Sequence, residues 1–312
     1  MIERALELAE RGRGTTVPNP VVGAVVVRNG EIVGEGWHER KGGPHAEVVA
    51  LEAAGRLARG STLYVTMEPC AHHGSTPPCT EAVLESGVAK VVAGSLDPNP
   101  DAGGGLELLR EAGIAVEHAD SFAAREQNAA WRVWIAERRP FVILKLAVTV
   151  DGRVAVPGGS RWISGEESRR RVHELRAQVD AVGVGMGTVH ADDPELTARD
   201  VGATRQPRRL AFGRGPLPDH SELELRDGVL VEELRALGAD GVQSLLLEGG
   251  PRLAHSFLQA DLVDKILLFV ASWLGGAGPL FAPELVAPVE LRRLTAEPVG
   301  DDVLLSAYVH EP

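Results

Sequence analysis

Residues 64–83 read YVTMEPCAHHGSTPPCTEAV. A strand-like apolar run, 62–67, ends in Glu68-Pro69-Cys70, and Cys79 opens the helix-like run 80–87. These are the only two cysteines in the chain, so no disulfide framework exists and a reducing, cytoplasmic setting is expected. Paired thiols beside His72 and His73 raise the question of a metal. Such a site is either closed and structural, using one of those histidines, or open and catalytic, with a ligand from elsewhere.

That ligand is available in PHAEVVALEAAG, residues 44–55, where His45 and Glu47 begin a helix behind Pro44. Ligands at helix starts that follow strands can converge, and thiolates there gain from the positive end of the helix dipole. His45, Cys70 and Cys79 offer three ligands to one Zn²⁺, leaving a position for water whose pKa the metal lowers to roughly 7. Glu47, two residues from a ligand, is placed to move that water's protons. H-x-E followed by P-C is the zinc deaminase pattern, although eight residues separate the cysteines here where that pattern has two. A lone HxE is common, and a lone cysteine is more often a small buried hydrophobe. The combination carries the reading, and a structural site would leave Glu47 without a task.

Working outward, helices are expected at 2–13, 46–55, 80–87 and 105–113, with strands at 21–27, 31–37, 62–67, 89–97 and 114–119. Asn29-Gly30 turns the first hairpin. The alternation predicts an α/β domain of three layers with a mixed sheet. A helical stretch over 120–138 stops at RRP (138–140), because Pro140 disfavours helix at Arg139. The strand FVILKLAVTV (141–150) follows at once, which places a domain boundary near 140. Beyond it, strands near 141–150, 180–185, 207–212, 244–248 and 264–270 alternate with helices near 165–178, 231–238 and 251–260.

Residues 1–140 carry 14 basic and 19 acidic side chains and the remainder 18 and 25, so both halves are acidic. That weighs against broad contact with nucleic acid, and with it against a nucleic-acid base deaminase. No run of about 18 apolar residues suggests a membrane span.

The second half holds two glycine-rich turns. DAVGVGMGT (180–188) fits G-x-G at Gly183 and Gly185, but Thr188 takes the third glycine position, and tight packing explains the glycines as well. SLLLEGGPRLAHSFLQA (244–260) is more suggestive: a strand ends at Glu248, two glycines follow, and Pro251 suits a first helical turn. Such a turn is a natural phosphate site.

PNPVVGAVVV, GWHERKGGPHAEVVAL and YVTMEPCAHHGSTPPCTEAV resemble the deaminase domain of the bifunctional riboflavin-biosynthesis deaminase/reductase family. KLAVTVDGRVA (145–155), SRWISG (160–165), VHELRAQVDAVGVGMGTVHADDPELTAR (172–199) and LLLEGGPRLAHSFL resemble its reductase domain. The resemblance implies a cytidine-deaminase-like domain at 1–140 and a dihydrofolate-reductase-like α/β domain at 141–312. It implies zinc on His45, Cys70 and Cys79, Glu47 as proton shuttle, and Asn19 facing the substrate, a phosphorylated ribosylaminopyrimidine. NADPH contacts are implied at Ala147, Trp162, Thr188, Asp192 and along Gly250, Pro251, Arg252, Leu253, Ala254, His255 and Ser256. Substrate contacts are implied at Ser160, Arg176, Leu196, Arg199 and Glu248. The two arginines suit a 5′-phosphate, since guanidinium forks match phosphate oxygens. Lys145 and Asp151 are further candidates for the ribose pocket, and Lys145, Asp192 and Glu248 for polar work at the ring oxygen. Family members commonly self-associate. The chain departs from the pattern at 208–240, where AFGRGPLP replaces a usual motif and residues 219–240 are compressed. An alternative reading therefore keeps the deaminase and makes the second domain a non-catalytic binding or dimerisation module.

Overall fold

The computed structural model describes every residue except Ser75, Ser160, Arg161, Pro283 and Glu284. The chain forms two compact units, Met1–Glu137 with Pro312, and Arg138–Glu311.

The first unit runs α1 (Ile2–Glu10), β1 (Gly23–Arg28), β2 (Glu31–Trp37), α2 (Ala46–Ala54), β3 (Thr62–Val65), α3 (Cys79–Ser86), β4 (Lys90–Ala93), α4 (Gly105–Glu111), β5 (Ala115–His118), α5 (Phe122–Gln127) and α6 (Ala129–Glu137). Its sheet has the order β2-β1-β3-β4-β5. β1 is antiparallel to β2 and β3, while β3, β4 and β5 are parallel, so the sheet is mixed as expected. Successive residues of a strand face opposite sides. Ala24 and Val26 accordingly pack with α2, α3 and α4, and Val25 packs with Ala5 and Leu8 of α1. Burial on both faces is why this strand reads as an unbroken apolar run. Helix α2 lies directly on β2: a Cβ on Gly34 or Gly36 would stand 2.2 Å from Ala50 O or 2.5 Å from Ala46 O.

The stretch expected as one helix over 120–138 is two, broken at Asn128. Its side chain leaves the helical path to bond Val21 as a strand would, accepting from Val21 N at 2.9 Å and donating to Val21 O at 2.8 Å.

The second unit runs β6 (Phe141–Thr149), α7 (Glu166–Gln178), β7 (Ala181–Gly185), α8 (Met186–Asp192), β8 (Arg208–Phe212), β9 (Glu224–Arg226), α9 (Leu230–Ala239), β10 (Ser244–Leu247), α10 (Pro251–Gln259), β11 (Lys265–Ala271), β12 (Arg292–Val299) and β13 (Asp302–Tyr308). The sheet order is β12-β13-β11-β6-β10-β7-β8-β9. From β11 to β9 the strands are parallel, and the hairpin β12-β13 joins antiparallel at β11. Val142, Leu144, Leu210, Leu245 and Leu247 pack under α9 and α10, while Val182, Val184, Ala211 and Leu246 face the other side with Leu175 of α7. The compressed segment 219–240 still supplies a strand and a helix. Gly183 answers to packing, since a Cβ there would meet the Phe212 ring at 2.6 Å. At the start of the unit, the buried Arg139 forks onto Asp264 at 2.7 and 2.8 Å, and Asp264 also accepts from Val142 N at 2.7 Å. One carboxylate thus joins the starts of β6 and β11.

Candidate functional site

In the first unit, His45 is the extended N-cap residue of α2, and Cys79 is the first residue of α3. His45 Nδ1 stands 3.1 Å from Cys79 Sγ and 3.6 Å from Cys70 Sγ, and Cys79 N–H donates to Cys70 Sγ at 3.3 Å. All three ligand atoms lie within 4.8 Å of one another. Tetrahedral zinc with bonds of about 2.0–2.3 Å sets its ligand atoms roughly 3.5–4 Å apart, so the donor set fits this metal. The hydrogen bond with Cys79 holds Cys70 below the usual thiol range, and the same bond drives Cys79 upward.

Glu47, on the first turn of α2, is 3% exposed, and its Oε2 has no hydrogen-bond partner among the described residues. Burial raises its carboxyl above the ordinary value. A carboxyl poised to take up a proton beside a metal-type cluster suits general acid–base work. His72 and His73 stay outside the cluster. His73 is exposed and faces Glu81 at 3.4 Å, and His72 lines the cavity wall.

That cavity, about 380 Å³, is lined by Asn19, His38, His45, Glu47, Thr76, Asp97, Asn99, Trp131 and Trp134 among others. His38 is the residue that motif reading passed over. It is buried, its Nδ1 is 3.1 Å from Pro44 O, its Nε2 is 3.4 Å from Asn19 Nδ2, and its ring meets His45 edge-on at 5.2 Å. Burial lowers its pKa, which favours the neutral ring. Nδ1–H then donates to Pro44 O, and Nε2 accepts from Asn19. The only sequence signal was its place in GWHERKGGPHAE. Glu68, also unassigned, accepts from Leu106 N at 2.9 Å and Asp97 N at 3.2 Å, which holds the turn that carries Cys70.

In the second unit a cavity of about 570 Å³ opens at the carboxyl ends of β7 and β10, where open parallel sheets bind ligands. Its wall includes Lys145, Ala147, Trp162, His173, Arg176, Thr188, Asp192, Leu196, Arg199, Glu248, Gly250 and Pro251. The structure therefore brings together most of the residues expected for NADPH and substrate. Of the run 250–256, only Gly250 and Pro251 reach the wall; Arg252, Leu253, Ala254, His255 and Ser256 continue along α10, with Ala254 in the core. Ser160 lies outside the described residues. Gly250 is the N-cap of α10 and Pro251 its first residue, so the N–H groups that follow Pro251 offer donors to a cofactor phosphate. Asp151 is not in the wall. It accepts from Thr149 Oγ1, Gly275 N and Gly276 N, which pull its carboxyl well below the ordinary range.

The expected phosphate clamp is already occupied within the protein. Arg176 donates from Nε and Nη2 to both oxygens of Glu248, at 2.6 and 3.0 Å, and from Nη1 to Thr197 O at 3.0 Å. Lys145 Nζ lies 3.7 Å from the same carboxylate. Burial lowers the Lys145 pKa. Burial also pushes Glu248 upward, but the charges of Lys145 and Arg176 outweigh it and hold the carboxyl below its ordinary value. Arg199, the more exposed arginine, pairs with Glu195.

Residues 1–95 match the cytidine and deoxycytidylate deaminase zinc-binding region, and residues 140–305 match the RibD C-terminal domain. The chain is 40% identical to the riboflavin biosynthesis protein RibD of Aquifex aeolicus, over 96% of this chain and 95% of that protein. It is 44% identical to RibD of Mycobacterium tuberculosis, over 97% and 94%. Among solved structures, Acinetobacter baumannii RibD superposes with a TM-score of 0.84 at 34% identity, covering 98% of this chain and 97% of that one. A Thermotoga maritima diaminohydroxyphosphoribosylaminopyrimidine deaminase/5-amino-6-(5-phosphoribosylamino)uracil reductase superposes at 0.82 with 36% identity, over 98% and 97%. The second unit thus matches the reductase domain of these proteins over most of its length. A zinc-binding deaminase fold joined to an NADPH-using reductase fold, alike to these proteins over nearly its whole length, places the chain in the RibD family of bifunctional riboflavin-biosynthesis enzymes.

Proposed function

We propose that the first cavity deaminates 2,5-diamino-6-ribosylamino-4(3H)-pyrimidinone 5′-phosphate at C2, and that the second reduces the ribosyl group of the product to ribityl. The observation that carries the first step is the convergence of His45, Cys70 and Cys79 beside a buried Glu47 with an unpartnered oxygen. Those three residues would hold zinc, which would supply the Lewis acidity that activates water. Glu47 would take one proton from that water and pass it to the ring nitrogen as the water oxygen bonds C2, then carry the second proton from the new hydroxyl to the amine as the C2–N bond breaks and ammonia leaves. Neutral His38 fixes Asn19, whose amide is left facing the pyrimidine.

In the second cavity, NADPH supplies the reducing equivalents. Ala147, Trp162, Thr188, Asp192 and the turn Gly250–Pro251 hold it. Leu196, Arg199 and the Arg176–Glu248 pair meet the substrate, with Arg199 the arm nearest solvent and the one placed for its phosphate. Lys145 and Glu248 present a proton donor and acceptor to the sugar that must open. Ser160 belongs to the same proposal. We place the enzyme in the cytoplasm as a homo-oligomer without nucleic-acid partners. The acidic balance of both halves supports the last point, and no described helix is long and apolar enough to cross a membrane.

The test is a coupled assay on one purified chain: ammonia release, NADPH oxidation and zinc content. Ammonia release with no NADPH oxidation on the deaminated product would sink the second half of the proposal alone.

A further inference from the structure

The loop between α8 and β8 carries Leu196 and Arg199 into the reductase cavity, and its backbone is under strain. Leu196 has φ 55°, flanked by Asp193 at 43° and Asp200 at 59°. Left-handed backbone is costly for a γ-branched side chain and persists only where the surroundings impose it. Leu196 is nevertheless 2% exposed and packs with Val184, Met186, Val189 and Leu246.

Three side chains impose it. The Gln206 amide bonds both polar groups of Ala198, accepting from its N–H at 2.8 Å and donating to its O at 2.9 Å. His173 Nδ1 lies 3.2 Å from Arg199 N and 3.0 Å from Thr197 O. Arg176 Nη1 already donates to Thr197 O, whereas the Arg199 N–H finds its acceptor in His173. Serving Arg199 N–H as acceptor, a neutral ring carries its proton on Nε2. Ala198 is buried outside any helix or strand, so leaving its N–H and C=O unpaired is costly.

We propose that His173 and Gln206 are positioning residues of the reductase, a backbone clamp on Thr197, Ala198 and Arg199 that holds Leu196 left-handed and aims Leu196 and Arg199 at the substrate. The inference rests on the reading that Leu196 and Arg199 meet the substrate, and it assigns the clamp to His173, which lines the same cavity, and to Gln206, which lies outside its wall.

The test compares Q206L, H173A, H173N and R199A in the full chain, reading reductase KM and kcat together with exchange of the Ala198 and Arg199 amide hydrogens. Q206L and H173A raise KM roughly ten- to hundred-fold, the size expected for misplacing a substrate contact by about 1 Å, with a smaller change in kcat. Both speed exchange at 198 and 199. H173N, whose side-chain oxygen reproduces the Nδ1 acceptor, stays near wild type in both readouts. If R199A raises KM while Q206L and H173A leave it unchanged, the clamp is refuted and the substrate reading survives. If R199A leaves KM unchanged, the substrate reading falls and takes the clamp with it. Should Q206L fail to fold, the contrast between H173A and H173N decides, since both lack the ring and only one keeps the acceptor. Equal KM in those two refutes the clamp.

Discussion

Both carboxylate oxygens of Glu248 are gripped by the guanidinium of Arg176, 72 residues away in the chain. The pair is almost wholly buried, and Lys145 is its nearest other charge. Removing Arg176 leaves Glu248 with Lys145 for compensation, so the cost falls below the roughly 3–5 kcal/mol of a wholly uncompensated buried charge. R176L is therefore expected to lower unfolding free energy by about 1–3 kcal/mol in urea titration. The double variant R176L/E248L should cost less than the sum of the singles. Strict additivity would show that the pair is not coupled.

The same carboxylate sets a pH dependence. Its folded pKa lies below the ordinary value, so ionised Glu248 favours the folded state above the unfolded pKa of about 4.3. That contribution is lost as pH falls through the lower folded value. The stability difference between wild type and E248Q is expected to be largest near about pH 6 and to shrink steadily below about pH 4. A difference that grows on acidification would contradict the assignment.

Glu47→Gln keeps the shape of the deaminase cavity and removes its proton carrier. Ammonia release should fall by roughly 10²–10⁴-fold, the usual size of a general acid–base contribution. Zinc content and NADPH oxidation on deaminated substrate should stay as in wild type. Loss of zinc in this variant would give Glu47 a ligand's role instead.

Asn128→Leu fills similar space but loses two bonds to Val21, just beyond the turn that holds Asn19. A stability loss of about 1–3 kcal/mol is expected, because Val21 N and O are left buried and unmet. The deaminase KM should rise while reductase kinetics stay constant. An unchanged deaminase KM would show that Asn19 is held by other means.

The metal centre was legible because its chemistry is written in residue types: the only two cysteines, a histidine at a helix start, and a glutamate two positions on. Most reductase wall residues came from longer motifs in the family's order. His38 escaped notice because a single histidine has no pattern of its own, and its partners Pro44 and Asn19 meet it only in space. Asn128 looked like an ordinary helix residue, since its partner lies 107 positions away. The pairing of Arg176 with Glu248 was hidden for the same reason. The hairpin β12-β13 was missed for a different one: β12 has no buried face through Glu297, so it shows no apolar alternation to read. Helix α8 was hidden by its brevity and by glycines that suggested a turn.

The walls of the two cavities are drawn wholly from one unit each, Pro18 to Ile135 for the first and Lys145 to Pro279 for the second. Among the described residues, each constellation is drawn from its own unit. Joining them in one polypeptide therefore adds nothing to the make-up of either site. What it fixes is stoichiometry: every translated chain delivers one deaminating and one reducing centre, and degradation removes both at once. The balance between consecutive steps is set by kcat and KM alone, beyond the reach of unequal expression.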